Sequence, residues 1–277
     1  MAASPKEIRA ASIALQCVAM KHRVARLALA AAALACGASA LAADGEWNYR
    51  IIPYVWGASI YGTPAHERLP VTLHPSASFS DIWNNLDFVA MLAFEAQRDR
   101  RGVIAELVTL SLSGTASMPV PPVGISMPVE LGGATTTLLL AYQCRWIDEP
   151  QFHVDLIAGA RYWSAQTEFS YALAAAPPPP IPQAYRGSQT QDWVDLQLGI
   201  KGRREFDNGA YVGAWLAGGS RASGLTLDAM LLAGYRFDER WSLTAGCRWL
   251  KIDYRTDRGF TFDATLAGPG LGLEYVL

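Results

Sequence analysis

The sequence predicts an all-β chain closed into an antiparallel, up-and-down transmembrane β-barrel of ten strands, with eight as the alternative count. Three observations predict it. Apolar and polar residues alternate with a period of two over most of the chain from residue 47 onward. The alternating segments are joined by tight turns and by loops in strict succession. Although 51% of the 277 residues are hydrophobic and 17% are charged, nothing beyond residue 43 supplies the run of about 20 apolar residues that a membrane-crossing helix needs. Abundant glycine (24) and aromatic residues (11 Tyr, 9 Trp, 9 Phe) suit strands.

The first stretch reads as a cleaved targeting segment. Lys21, His22, Arg23 and Arg26 form a basic region, 27–35 an apolar core, and Ala40-Leu41-Ala42 a site with small residues where signal peptidase requires them. Residues 1–43 are therefore expected to be an N-terminal extension and signal peptide, and 44–277 the barrel. Met20 directly precedes the basic cluster, so Met1 and Met20 are both open as the start. Cys36 offers a second processing route, as a lipoprotein signal, without the usual Leu three places earlier. Residues 1–43 hold five basic side chains and one acid, so removing them takes 23 basic and 25 acidic groups to 18 and 24. An acidic exported chain with dispersed bases carries no footprint for nucleic acid.

Ten strands are expected, at 47–61, 88–98, 103–114, 135–146, 151–169, 192–206, 210–219, 225–237, 241–254 and 260–277. Residues 99–102, 148–150, 207–209 and 238–240 read as tight hairpin turns. The intervening connections read as loops, the first three of them long, at 62–87, 115–134 and 170–191. Within the first loop, Ser80 to Leu86 reads as a single helical turn. Short turns at one end and longer loops at the other form the pattern of outer-membrane barrels.

Alternation also separates two faces. Val194, Leu196, Leu198 and Ile200 stand opposite Asp195, Gln197, Gly199 and Lys201. A charge facing lipid at mid-strand costs about 2–4 kcal/mol, so the charged face is the lumen. The expected inward acids are Glu95, Glu106, Asp155, Asp195, Glu205, Asp228, Asp263 and Glu274; the inward bases are Arg50, Arg145, Arg161, Lys201, Arg203, Arg236 and Arg248. This balanced set reads as a structural ladder paired across strands, because buried charges must be partnered. Aromatic residues gather at strand ends: Trp47, Tyr49, Trp146, Phe152, Phe206, Phe237 and Trp241 beside the turns, with Tyr61, Phe88 and Phe169 toward the loops. Leu273, Tyr275 and Leu277 end the last strand on one face and resemble the C-terminal signal of barrel assembly, with Leu in place of the usual Phe. A bulge and a change of phase are expected at Gly268-Pro269-Gly270.

Several segments carry a family resemblance. They are Phe79-Ser80-Asp81-Ile82, Asn85-Leu86-Asp87-Phe88, Phe94-Glu95-Ala96, Gly159-Ala160-Arg161-Tyr162-Trp163, Asp192-Trp193-Val194-Asp195, Gly234-Tyr235-Arg236-Phe237, Trp241-Ser242-Leu243, Phe262-Asp263, Gly268-Pro269 and Gly272-Leu273-Glu274-Tyr275. Together they resemble an uncharacterised family of proteobacterial outer-membrane β-barrel proteins of the porin-like, small-barrel type. The resemblance covers nearly all of the chain after the signal and implies location and fold; it supplies no catalytic residues. The Pro-rich segment 176–182 and the terminal Leu277 depart from it.

The chemistry of sites adds little. His66 and His74, with Glu67, Ser76, Ser78 and Asp81 nearby, are the residues from which an outer-loop hydrolase or acyltransferase site would be built. Their eight-residue spacing matches no metal motif, and His153 falls beside a tight turn. Pro177 to Pro180 reads as a stiff exposed loop. The expected protein is a non-enzymatic outer-membrane barrel with a side-chain-filled polar lumen, in a structural, adhesive or narrow-channel role and without a cofactor. The alternative is an envelope enzyme, lipid A modifying or protease-like, using outer-loop His, Ser and Asp residues. Expected partners are outer-membrane lipid and lipopolysaccharide, with the barrel-assembly machinery during biogenesis; oligomeric state is open. Intact mass of the membrane-extracted protein is expected to place the new N-terminus near Ala43, whereas an acylated Cys36 would establish the lipoprotein route.

Overall fold

The computed structural model describes residues 45–66, 79–120, 125–172, 184–221, 224–255 and 260–277. The expected signal segment, His74 and the Pro-rich loop lie outside them. Eleven strands and one short helix follow in order: β1 (Asn48–Trp56), β2 (Ser59–His66), α1 (Phe79–Asn84), β3 (Leu86–Arg98), β4 (Arg101–Val120), β5 (Ile125–Glu149), β6 (Phe152–Ala172), β7 (Ala184–Glu205), β8 (Ala210–Arg221), β9 (Gly224–Arg236), β10 (Trp241–Arg255) and β11 (Phe260–Val276). Each strand pairs antiparallel with its successor from β3 to β11, and β1 pairs with both β3 and β11. The sheet therefore closes on itself. Closure leaves no sheet edge unpaired in lipid, where an orphan backbone group costs several kcal/mol.

β1 and β2 are two halves of one stave, since both pair with β11 in a single register, Trp56 opposite Gly270 and Ser59 opposite Ala267. Ten staves result. The interruption at Gly57 and Ala58 lies opposite Pro269, which has no N–H to give; Gly57 N–H donates to the Pro269 carbonyl at 2.8 Å. The bulge expected in the last strand is thus absent. β11 keeps one unbroken register with β10 across Gly268-Pro269-Gly270, and the ladder accommodates the proline by a gap in the opposite stave rather than by an extra residue.

Two predicted loops are corrected. Much of 115–134 and 170–191 is strand: β4 and β5 pair out to Val120 opposite Ile125, and β6 and β7 to Ala172 opposite Ala184. Gly and Pro in these stretches read as breakers, yet pairing with a neighbouring strand overrides local preference. β7 begins at Ala184, while its pairing with β8 begins at Leu196. A membrane crossing takes about 9–11 residues, so β4 to β7 extend well past it. The helical turn expected near Ser80 is α1. Asn85 closes it by donating from Nδ2 to the Asp81 carbonyl at 2.8 Å, and Asp87 accepts from Ser113 Oγ at 2.9 Å.

At the other end, hairpins return within two to four residues. Asp99 and Gly209 adopt the left-handed backbone that such turns need, with φ of 50° and 84°. Outside, Leu140, Val194, Leu196, Leu216, Leu231 and Leu271 are among the exposed residues of an apolar belt. Trp47, Tyr49, Trp146, Phe206, Phe237 and Trp241 are exposed beside the turns, Tyr61 and Phe88 toward the loops. Among the described residues no helix is long and apolar enough to cross a membrane; here strands do so.

Leu231, in the middle of β9, is 70% exposed on the belt. Leu231→Arg is expected to cost about 2–4 kcal/mol, and Leu225→Arg at the strand's end about 0–1. Urea titration of the barrel refolded into lipid vesicles measures both.

Candidate functional site

Closing the sheet sends every second side chain of each stave inward. On β7 these are Trp193, Asp195, Gln197, Lys201 and Arg203; on β6, Asp155, Arg161 and Trp163. Partners on non-adjacent staves meet across the interior, and they do so at three levels.

Nearest the turns, Arg203 donates from Nη1 to both oxygens of Glu274, at 3.2 and 3.0 Å. It also pairs with Glu205 at 3.1 Å, and its guanidinium lies 3.7 Å over the Tyr211 ring. Glu205 is held in addition by Arg236, and Arg50 stands 3.8 Å from Glu274. A glycine makes room here: a Cβ on Gly234 would fall 2.1 Å from the Tyr211 ring. One level up, Lys201 Nζ donates to Glu95 at 2.6 Å and to Gln143 Oε1 at 2.8 Å, while Gln143 Nε2 donates to Glu95 at 2.7 Å. Asp155 takes Arg145 at 3.1 Å and lies 3.8 Å from Lys201.

The central level joins five staves, four of them through charged side chains. Arg248 on β10 donates from Nη1 and Nη2 to the two oxygens of Glu106 on β4, at 2.7 and 2.9 Å. It also donates from Nε and Nη2 to Asp228 on β9, at 2.9 and 2.7 Å. Arg161 on β6 completes the cluster, 2.8 Å from Asp228 and 3.4 Å from Glu106. Tyr54 on β1 donates its hydroxyl to Glu106 at 2.7 Å. Two guanidinium groups face two carboxylates, so the cluster is neutral. Asp228 and Arg161 are 0% and 1% exposed, and burial at that depth is tolerable only with such partners.

Toward the loops the interior turns apolar. Trp56, Ala58, Trp163, Trp193, Leu250 and Ile252 form one buried cluster. Trp163 and Trp193 stack at 5.6 Å with a 9° interplanar angle. Arg248 lies 5.1 Å over Trp56 and Arg161 lies 5.8 Å over Trp163, joining the two levels through cation–π contacts. Two residues from Trp193 toward the turns, Asp195 stands opposite Arg161 in the ladder and accepts from Thr226 Oγ1 at 2.8 Å.

One residue of the expected ladder is placed elsewhere. Inward positions on β11 are even-numbered, with Ala264 and Glu274 buried, so Asp263 is on the outward side, opposite Asp253 of β10. The expected phase change at Gly268-Pro269-Gly270 does not occur, and that change had put Asp263 inward. Arg236 keeps the inward phase at the turn end, where its side chain is half exposed. Leu273 and Leu277 are exposed outward, and Tyr275 packs on Trp241 at 4.5 Å and accepts from Arg240 Nη1 at 3.3 Å. The ion-pair reading missed the neutral members Tyr54, Gln143 and Tyr211, and the tryptophan layer. The alternation that located Arg161 and Asp195 also places Trp163 and Trp193 two residues away on the same face. Among the described residues no cluster of His, Cys, Asp and Glu is arranged to hold a metal ion.

No family model matches the chain, and no curated protein matches it. Similar solved structures include the translocator domain of the autotransporter NalP from Neisseria meningitidis, at 12% identity over 92% of this chain and 97% of that one, with a TM-score of 0.43. The attachment invasion locus protein Ail of Yersinia pestis follows at 10% identity over 83% and 98%, TM-score 0.34. The toluene transporter TodX of Pseudomonas putida is at 10% over 85% and 90%, TM-score 0.34. The fold assignment rests on the strand ladder of the chain itself.

Asp228→Ala leaves Arg161 and Arg248 without their shared carboxylate and is expected to cost about 3–5 kcal/mol of stability. Asp263→Asn on the outward side is expected to stay within about 0.5 kcal/mol. Urea midpoints of the refolded proteins give both values.

Proposed function

We propose that the chain is an integral outer-membrane β-barrel whose lumen is closed to free diffusion, in a structural or adhesive role. Residues 1–43 serve as the export signal in this reading, and the resemblance noted in the sequence supports a kinship with proteobacterial outer-membrane barrels of the porin-like, small-barrel type. The observation that carries this reading is the central cluster: four charged side chains from β4, β6, β9 and β10 bond to one another inside the barrel. The stacked Trp163 and Trp193 occupy the space above. A ten-stave barrel is only slightly wider than the eight-stranded kind that side chains fill. Tight turns then face the periplasm, and the prolonged β4 to β7 stand on the cell surface, where they supply an exposed structure for contact. The ladder residues act as internal braces, and Leu273, Tyr275 and Leu277 as the assembly signal.

The membrane-facing belt fits lipid and lipopolysaccharide as surroundings. A narrow-channel role requires the Arg248–Glu106 and Arg161–Asp228 bonds to open, so conductance in the resting barrel is expected to be absent or far below that of a porin. Planar-bilayer recording on the refolded protein tests this, and stable porin-sized steps would overturn the closed-lumen reading.

A further inference from the structure

Between the Arg50–Glu274 pair and the Arg248–Glu106 pair the lumen is hollow, with a cavity of about 200 Å³. Its wall is divided. Ile52, Leu139, Trp215, Met230 and Leu232 make one side apolar, and Arg50 stands at the charged end. Missing side chains help leave the space: Gly213 and Gly272 line it, and a Cβ on them would come within 2.9 Å of Leu232 and 3.0 Å of Thr244.

Arg50 differs from the other lumen cations. Arg145, Arg161, Lys201, Arg203 and Arg248 each approach a carboxylate at 3.1 Å or less. Among the described residues Arg50 has a single ion pair, from Nε to Glu274 at 3.8 Å, and its side chain keeps 22% of its surface exposed within the barrel. Glu274 is already engaged by both bonds from Arg203 and by the Tyr211 hydroxyl at 3.4 Å. The Arg50 guanidinium therefore retains donors at the edge of a mainly apolar hollow. A planar guanidinium fork matches a carboxylate through two parallel hydrogen bonds. An apolar cavity of about 150 Å³ is enough to hold benzene.

We propose that this cavity binds a small apolar carboxylic acid as its carboxylate, the anion seated on Arg50 and the hydrocarbon body against Trp215, Met230 and Leu232. The site goes beyond the closed-lumen reading, and conductance and binding are separate measurements, so either fails without the other.

The test is calorimetric titration of benzoate into the full-length refolded barrel in detergent, with protein-free micelles subtracted. Wild type is expected to bind one benzoate saturably and more tightly than acetate. Arg50→Gln is expected to weaken benzoate about tenfold or more, the scale of a charged hydrogen bond, with Arg50→Lys between the two. Met230→Trp, which fills the hollow and leaves Arg50 in place, is expected to remove binding, while heat-modifiable gel migration verifies that each variant is folded. Should Arg50→Gln fail to fold, Met230→Trp decides. No saturable binding by wild type, acetate binding as tightly as benzoate, or benzoate affinity unchanged in folded Met230→Trp would overturn the proposal.

Discussion

Arg161 and Arg248 share Asp228 and Glu106 at the middle of the barrel, and the remaining interior is arranged around that meeting. A charge at this depth lies among packed side chains inside a barrel whose outer surface faces hydrocarbon, so it depends on its partners. Removing one member leaves an uncompensated ion, which costs far more than the net worth of the intact pair. The register of four staves is therefore tied together. A slip of one residue in β9 would turn Asp228 toward the belt and Leu231 toward the lumen, exchanging both faces at once. The tryptophan layer above and the Lys201–Glu95–Gln143 group below extend the same solution, with Lys201 on β7 and Gln143 on β5 both bonded to Glu95 on the non-adjacent β3.

The outer face follows from the same alternation by a different physics. Backbone pairing around ten staves satisfies the ladder, so the outward side chains need only be apolar in the middle and amphipathic at the ends. Leu231 and Leu196 meet the first demand, and Trp47, Tyr49 and Phe237 the second. Solubility in lipid thus comes from residues spaced two apart. A window of helical length averages them with the polar lumen residues and registers nothing.

This explains what could be read in advance. Strict alternation in β7 and β9 located Asp195, Lys201 and Asp228 on the inner face without any knowledge of their partners. The extended outer parts of β4 to β7 were not legible, because Pro119, Pro128 and the neighbouring glycines signal loops locally and only the ladder with the adjacent strand shows otherwise. Asp263 was placed on the wrong face for a related reason. Gly268-Pro269-Gly270 reads as a bulge, whereas the chain answers Pro269 by opening the opposite stave at Gly57 and Ala58. The bonds between β4 and β10, or β6 and β9, depend on closure and on side-chain length; neutral partners such as Tyr54 and Gln143 carry no charge to advertise them.

The central claim is that the charged side of each strand is the lumen and the apolar side meets lipid. It is tested most directly by placing a fluorescent bimane on single cysteines at each position from 194 to 201, with the native cysteines replaced, and measuring quenching by brominated lipid. Strong quenching at 194, 196, 198 and 200 with little at 195, 197, 199 and 201 is predicted. Uniform quenching, or quenching confined to the odd-numbered positions, would contradict the account.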